Sequence, residues 1–169
     1  MVVKGTASIS MQYALWKYPV HFLAHGFGAG LVPSVAGALG ALVGAAAFWL
    51  FSRLKAPAYA AVTVILFLAG IFICGQTARD LAAVDPHNIV FDEIVGFLAA
   101  MYRVPRKFEW VVPGLIVFVA LDAWKPWPIH LLENIPATGT AIMADDFAAG
   151  LVTLAILHLV RVGYRRLAR

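Results

Sequence analysis

The chain has 169 residues, enough for one domain; 62% of them are hydrophobic and only 13% are charged. Soluble domains average about 25% charged residues, so this composition excludes an ordinary water-soluble globule and points to a multi-pass membrane protein. The net charge of +4 comes from basic residues that fall mostly at segment ends, a pattern of membrane topology rather than of nucleic-acid binding, and the single cysteine, Cys74, excludes an internal disulfide.

In chain order, residues 1–10 carry no apolar core of a signal peptide and are expected to be disordered. Residues 11–24, with Tyr13, Trp16, Lys17, Tyr18 and Pro19, read as an interfacial helix or a loop at headgroup level, so residues 1–25 form an N-terminal interfacial segment. Gly26, Gly28 and Gly30 follow, then Pro33. Residues 31–51 carry no charge and are long enough to span a bilayer. Within them Gly40 and Gly44 make a small-xxx-small surface for close helix packing. Arg53 and Lys55 end this stretch, Pro57 opens the next helix, and residues 58–75 are the clearest span in the chain. Residues 89–102 and 108–121 are shorter, each with about half to two-thirds of the roughly 20 apolar residues a span needs. Arg103, Arg106 and Lys107 separate them. A last helix is expected over 142–160, and residues 162–169 form a basic tail. The expectation is an all-α, multi-pass membrane helical bundle, embedded over 26–161, with short or broken helices carrying a site at their ends.

That site is expected from misplaced charge. A carboxylate at membrane depth costs about 2.5–3.5 kcal/mol on insertion scales, yet Asp145 and Asp146 sit inside an apolar run, Asp92 and Glu93 inside another, and Asp122 ends a third. Five crossings put all the acids but Glu109 on one side, with Arg79 and Lys125 among them. Each feature has a plainer reading. Asp92 and Glu93 suit a helix first turn; Lys125 between Trp124 and Trp127 suits a headgroup belt. The glycine cluster suits a tight turn, His21 and His25 suit satisfied or interfacial positions, and Cys74 suits packing. Convergence from three distant loops favours a site. Hard oxygen ligands without clustered cysteine or histidine favour magnesium over zinc, and a lysine beside them can neutralise phosphate oxygens. The chemistry this implies is metal-assisted phosphoryl transfer on a lipid headgroup. A cysteine-phosphatase loop is excluded, because Asp80 stands where its arginine is needed.

Four blocks carry a resemblance: Gly26-Phe-Gly-Ala-Gly30-Leu-x-Pro33; Asp85-x-x-x-Ile-Val-Phe-Asp92-Glu93; Asp122-x-Trp-Lys-Pro-Trp-Pro-Ile129; and Gly139-x-x-Ile-Met-x-Asp145-Asp146-x-x-x-Gly150. In order and spacing over residues 20–155 the chain resembles the phosphatidylglycerophosphatase A family. The resemblance implies a magnesium-dependent enzyme of the bacterial inner (cytoplasmic) membrane. It would hydrolyse the terminal phosphate of phosphatidylglycerophosphate, giving phosphatidylglycerol and inorganic phosphate; attack by magnesium-activated water is the expected route, with a covalent aspartyl-phosphate the open alternative. On that reading Asp92, Glu93, Asp145 and Asp146 hold Mg2+, and Asp85, Asp122 and Lys125 are catalytic. Gly26, Gly28, Arg79, Trp124 and Trp127 contact the phospholipid substrate. A homo-oligomer stays open. Val32, Ala36, Ala38, Val84, Val119, Thr138 and Ala141 depart from the family pattern. The rival readings are an ion or proton transporter and a non-catalytic scaffold. Orientation is contested: the resemblance implies a cytoplasm-facing site, whereas nine of the thirteen basic residues lie on the opposite side, which the positive-inside rule assigns to the cytoplasm.

Overall fold

A computed structural model describes residues 18–82, 86–134 and 138–167. Among them every regular element is helical. The expected disorder of residues 1–10, Asp85, and the end of the basic tail lie outside the described residues.

The first helix, α1 (Pro19–Ala24), is short and has Pro19 in its first turn, where a missing N–H costs nothing. It packs on α3 through His21, whose Nδ1 lies 3.0 Å from Thr77 Oγ1. Two 3-10 turns follow, Gly26–Leu31 and Pro33–Val35, so the apolar stretch expected from residue 31 becomes helical only at α2 (Ala36–Phe51). Gly26 (φ 55°) and Gly28 (φ 101°) lie in the left-handed region, where glycine is unstrained. The turn lies under the entry to α4. Val90 N donates to Ala24 O, and a Cβ on Gly30 would sit 2.0 Å from Asn88 O.

Helix α3 (Ala56–Asp80) runs beyond the expected 58–75, its last turns held by Gln76, which donates to Asp80 and accepts from Arg79. Helix α4 (Phe91–Ala100) is ten residues, all buried. At 1.5 Å per residue it is about 15 Å long, half a hydrocarbon core, so it cannot be one of five full crossings. A helix buried on every side lies in the middle of a bundle, and α4 packs against α2, α3 and α6. Helix α5 (Phe108–Trp124) ends one turn later than expected, closed by Lys125 in the left-handed conformation with its N–H bonded to Leu121 O. After a turn at Ile129–Asn134, α6 (Thr138–Leu167) returns along the whole bundle.

Small residues set how closely these helices approach. Gly40 and Gly44 of α2 face α4, where added Cβ atoms would meet Val90 Cβ at 2.8 Å and Ile94 O at 3.0 Å. Where α4 crosses α6, a Cβ on Gly150 would lie 2.2 Å from Gly96 O, and one on Gly96 would lie 2.7 Å from Asp146 O. Cys74 is fully buried, its Sγ 3.7 Å from Met143 Sδ, the packing role expected of it.

The outer surface is apolar. Ile65, Leu68 and Phe72 on one face of α3, Ile116 on α5 and Leu159 on α6 are each more than half exposed. Water-soluble monomers do not carry such contiguous faces, whereas lipid solvates them. Helices α3 and α6 are each long and apolar enough to cross a membrane. Together these features place the chain in a membrane.

Candidate active site: a carboxylate cleft

The polar interior is concentrated at one end of α4. Asp92 and Glu93 occupy its first turn, where the unpaired N–H groups and the helix dipole favour negative charge. Asp122 comes from the last turn of α5. Asp145 and Asp146 come from α6, but not from its end. The helix starts at Thr138, a turn before the expected 142, which sets the pair two turns inside it. The small stretch Thr138-Gly-Thr-Ala141 permits this, because Gly139 lets α6 close on α3: its Cβ would meet Ile71 O at 2.1 Å.

Oxygen atoms of Asp92, Glu93 and Asp146 all lie within 4.8 Å of one another, and all three residues are buried. Asp146 is flanked further by Asp122 and Asp145. Gly37 lets Glu93 and Asp122 point to the same spot. A Cβ there would be 2.9 Å from Glu93 Oε1 and 3.7 Å from Asp122 Oδ2. Packed carboxylates repel one another and have lost their water, so the arrangement requires positive charge. Lys125 supplies part of it: Nζ donates to Asp145 Oδ2 at 2.5 Å. Asp145 Oδ1 accepts the backbone N–H of Asp146. Asp145, expected as a metal ligand, therefore stands beside the three-residue cluster and holds the lysine. Glu93 Oε2 is buried with no hydrogen-bond partner, so its lone pairs are available to a cation.

These groups line a cleft of about 800 Å³ that also takes in Ser34, His87, His130 and Trp124. Ser34, His87 and His130 escaped sequence reasoning. The two histidines lie in separate loops with no spacing to connect them, and their shared wall exists only once α2, α5 and α6 are assembled. Trp124 lies at the exposed mouth. Gly26, Gly28, Arg79 and Trp127 do not line the cleft. Gly26 sits under Val90, where an added Cβ would be 2.6 Å from Cγ2, and so shapes the backbone that leads into α4. Arg79 is spent on Gln76, and Trp127 stands in the open. His21 contacts Thr77 and, at 3.4 Å, Asp80; this keeps Asp80 out of the cluster. His25 donates through Nδ1 to His21 O at 2.7 Å, and burial pushes its imidazole below the usual histidine range. Glu109, the acid expected apart from the rest, pairs with Lys107 at the far end of α5.

The arrangement can hold a hard divalent cation between three oxygen donors and set a lysine beside it, which is a receptor for a phosphate group. Known proteins resemble the chain over most of its length. The family model described as phosphatidylglycerophosphatase A matches residues 22–161. The phosphatidylglycerophosphatase A of Escherichia coli strain K12 is 36% identical over 143 residues, covering 84% of this chain and 83% of that protein. That of Haemophilus influenzae is 30% identical over 145 residues, covering 85% and 89%. No solved structure matches the chain. With the match spanning all of the described cleft, this chain belongs to the phosphatidylglycerophosphatase A family.

Proposed function

We propose that this chain is a membrane-embedded lipid phosphatase that removes the terminal phosphate of phosphatidylglycerophosphate, yielding phosphatidylglycerol and inorganic phosphate, with Mg2+ as its cation. The observation that carries the reading is the buried Asp92, Glu93 and Asp146 triad with its orphaned Glu93 Oε2, set beside Lys125 in a cleft. The donors fit the cation: all are carboxylate oxygens, none is thiolate or imidazole, and a wet cleft leaves room for the waters magnesium keeps. Asp92, Glu93 and Asp146 hold it. When bound there, such a cation would neutralise phosphate oxygens and ease loss of a proton from the attacking water.

The chain's own residues do the rest. Lys125 Nζ, held by Asp145, pairs with a non-bridging oxygen of the terminal phosphate. Asp122 accepts a proton from the attacking water as the bond from phosphorus to the glycerol oxygen breaks; that oxygen takes its proton from solvent water at the cleft mouth, and Asp122 returns its own to solvent. Asp85, which lies outside the described residues, keeps the catalytic role that the resemblance implies. The apolar outer surface lets the acyl chains stay in lipid while the headgroup turns into the cleft.

We place the enzyme in the bacterial cytoplasmic membrane with the cleft on the cytoplasmic face. The basic far end, with Arg53, Lys55, Arg103, Arg106 and Lys107, argues for the reverse orientation. A reporter fused after Arg169 sits opposite the cleft and decides between them. The test of function is phosphate release by Asp146→Asn and Glu93→Gln. Both variants are expected to remain folded in membranes and to lose activity by more than about 100-fold, as when one preorganised electrostatic element of a site is removed. Near-normal turnover in both would remove the carboxylates from the reaction.

A further inference from the structure

A second cavity, of about 500 Å³, lies between α5 and α6 at the end of the bundle remote from the carboxylates. Lys107, Arg161 and Arg165 line it, with Glu109 as the opposing charge, and its apolar wall comes from Trp110, Pro113 and Val160. Arg161 Nη1 donates to Arg103 O at 2.9 Å, which fixes that guanidinium where the two helices meet. Lys107 shares its charge with Glu109 at 3.2 Å. Arg165 is exposed at the rim.

We propose that this groove is a binding site for an anionic diacyl phospholipid, distinct from the carboxylate cleft. Three cations against one carboxylate favour a phosphate. The apolar wall beneath them runs toward the lipid-facing surface of α5 and α6, so the same ligand must carry hydrocarbon. A soluble anion would use the cations and leave the wall bare; a neutral lipid would use the wall and leave the cations unsatisfied. Basic pockets between membrane helices at the headgroup level are suited to acidic headgroups for this reason. The phosphate would lie between Arg161 and Arg165, with one acyl chain along Trp110, Pro113 and Val160.

The test uses the full chain in phosphatidylcholine nanodiscs doped with a photoactivatable dioleoyl phosphatidylglycerol, with mass spectrometry locating the labelled peptides. Labelling is expected on the peptides holding Trp110 and Val160. It should drop about 25-fold in Lys107→Gln/Arg165→Gln, which leaves the Arg161 bond to Arg103 intact, since each of the two interfacial cations removed contributes about fivefold in affinity. Neither residue touches the carboxylate cleft, so phosphate release from phosphatidylglycerophosphate in the same nanodiscs should be unchanged, which confirms a folded variant. Equal labelling by photoactivatable phosphatidylcholine would overturn the proposal. So would labelling that persists in the double variant, or displacement by millimolar inorganic phosphate, which would mark a site for soluble anions.

Discussion

The α4–α6 crossing fixes the distance between Asp146 and the Asp92–Glu93 pair, and Gly150→Ala tests whether that distance matters. The new Cβ would lie 2.2 Å from Gly96 O and 3.0 Å from Gly96 C. Ordinary C···O contacts need about 3.3 Å or more, so the helices must part by about 1 Å. The obstacle is backbone, so no side-chain rotation relieves it. Overpacking of this kind costs about 1–3 kcal/mol, or roughly 2–12 °C in melting temperature for a chain of this size. A displacement of 1 Å in a positioned site can cost about 100-fold in rate. The assay is phosphate release from phosphatidylglycerophosphate as a function of Mg2+, with a thermal melt of the same sample. The control is Gly163→Ala on the same helix, where a Cβ meets nothing within 4 Å. It should leave activity unchanged and raise stability by about 0.5–1 kcal/mol through helix propensity. Wild-type rate and Mg2+ dependence in Gly150→Ala would refute the claim that this crossing sets the ligand geometry.

Other outcomes follow from the same structure. Without metal and at alkaline pH, where the cluster's carboxyls are ionised, Glu93→Gln removes one of several mutually repelling buried charges, so its melting temperature in EDTA should exceed that of the parent even though its activity is lost. Lys125→Met should lower kcat/KM by about 10²–10³-fold while leaving Mg2+ affinity within a few-fold, because Lys125 bonds Asp145 rather than the triad; equal loss of both would make it part of the metal site. Tyr59→Phe deletes a buried hydroxyl that donates to Leu98 O at 2.7 Å, at a cost of about 1 kcal/mol with turnover unchanged, read by thermal melt and phosphate release.

Much of this site was legible from charge in the wrong solvent. Asp92, Glu93, Asp122, Asp145 and Asp146 stood out because apolar runs do not tolerate carboxylates without a reason, and the fold brings all five to one cleft. The roles within the set were less legible. Whether Asp145 or Asp146 faces the triad depends on the rotation of α6, and adjacent residues on a helix point about 100° apart. The helix lengths were only partly readable. Hydropathy loses the polar last turns of α3, which are helical because Gln76, Arg79 and Asp80 bond one another. It also cannot tell a short span from a buried half-length helix such as α4. Gly26 and Gly28 showed the opposite ambiguity: a glycine cluster that could cradle phosphate serves here to turn the chain beneath Val90. The pairing of Gly96 with Gly150 depends on two helices 54 positions apart meeting at their glycines, which no local pattern reveals.

The central claim is that a buried carboxylate triad holds a hard cation for a lipid's terminal phosphate. Its most direct test is phosphate release from phosphatidylglycerophosphate by the purified protein with Mg2+, without it, and with EDTA. The account predicts release with Mg2+, loss in EDTA, and recovery when Mg2+ is returned in excess. Undiminished release in EDTA, or none under any condition from folded protein, would contradict it.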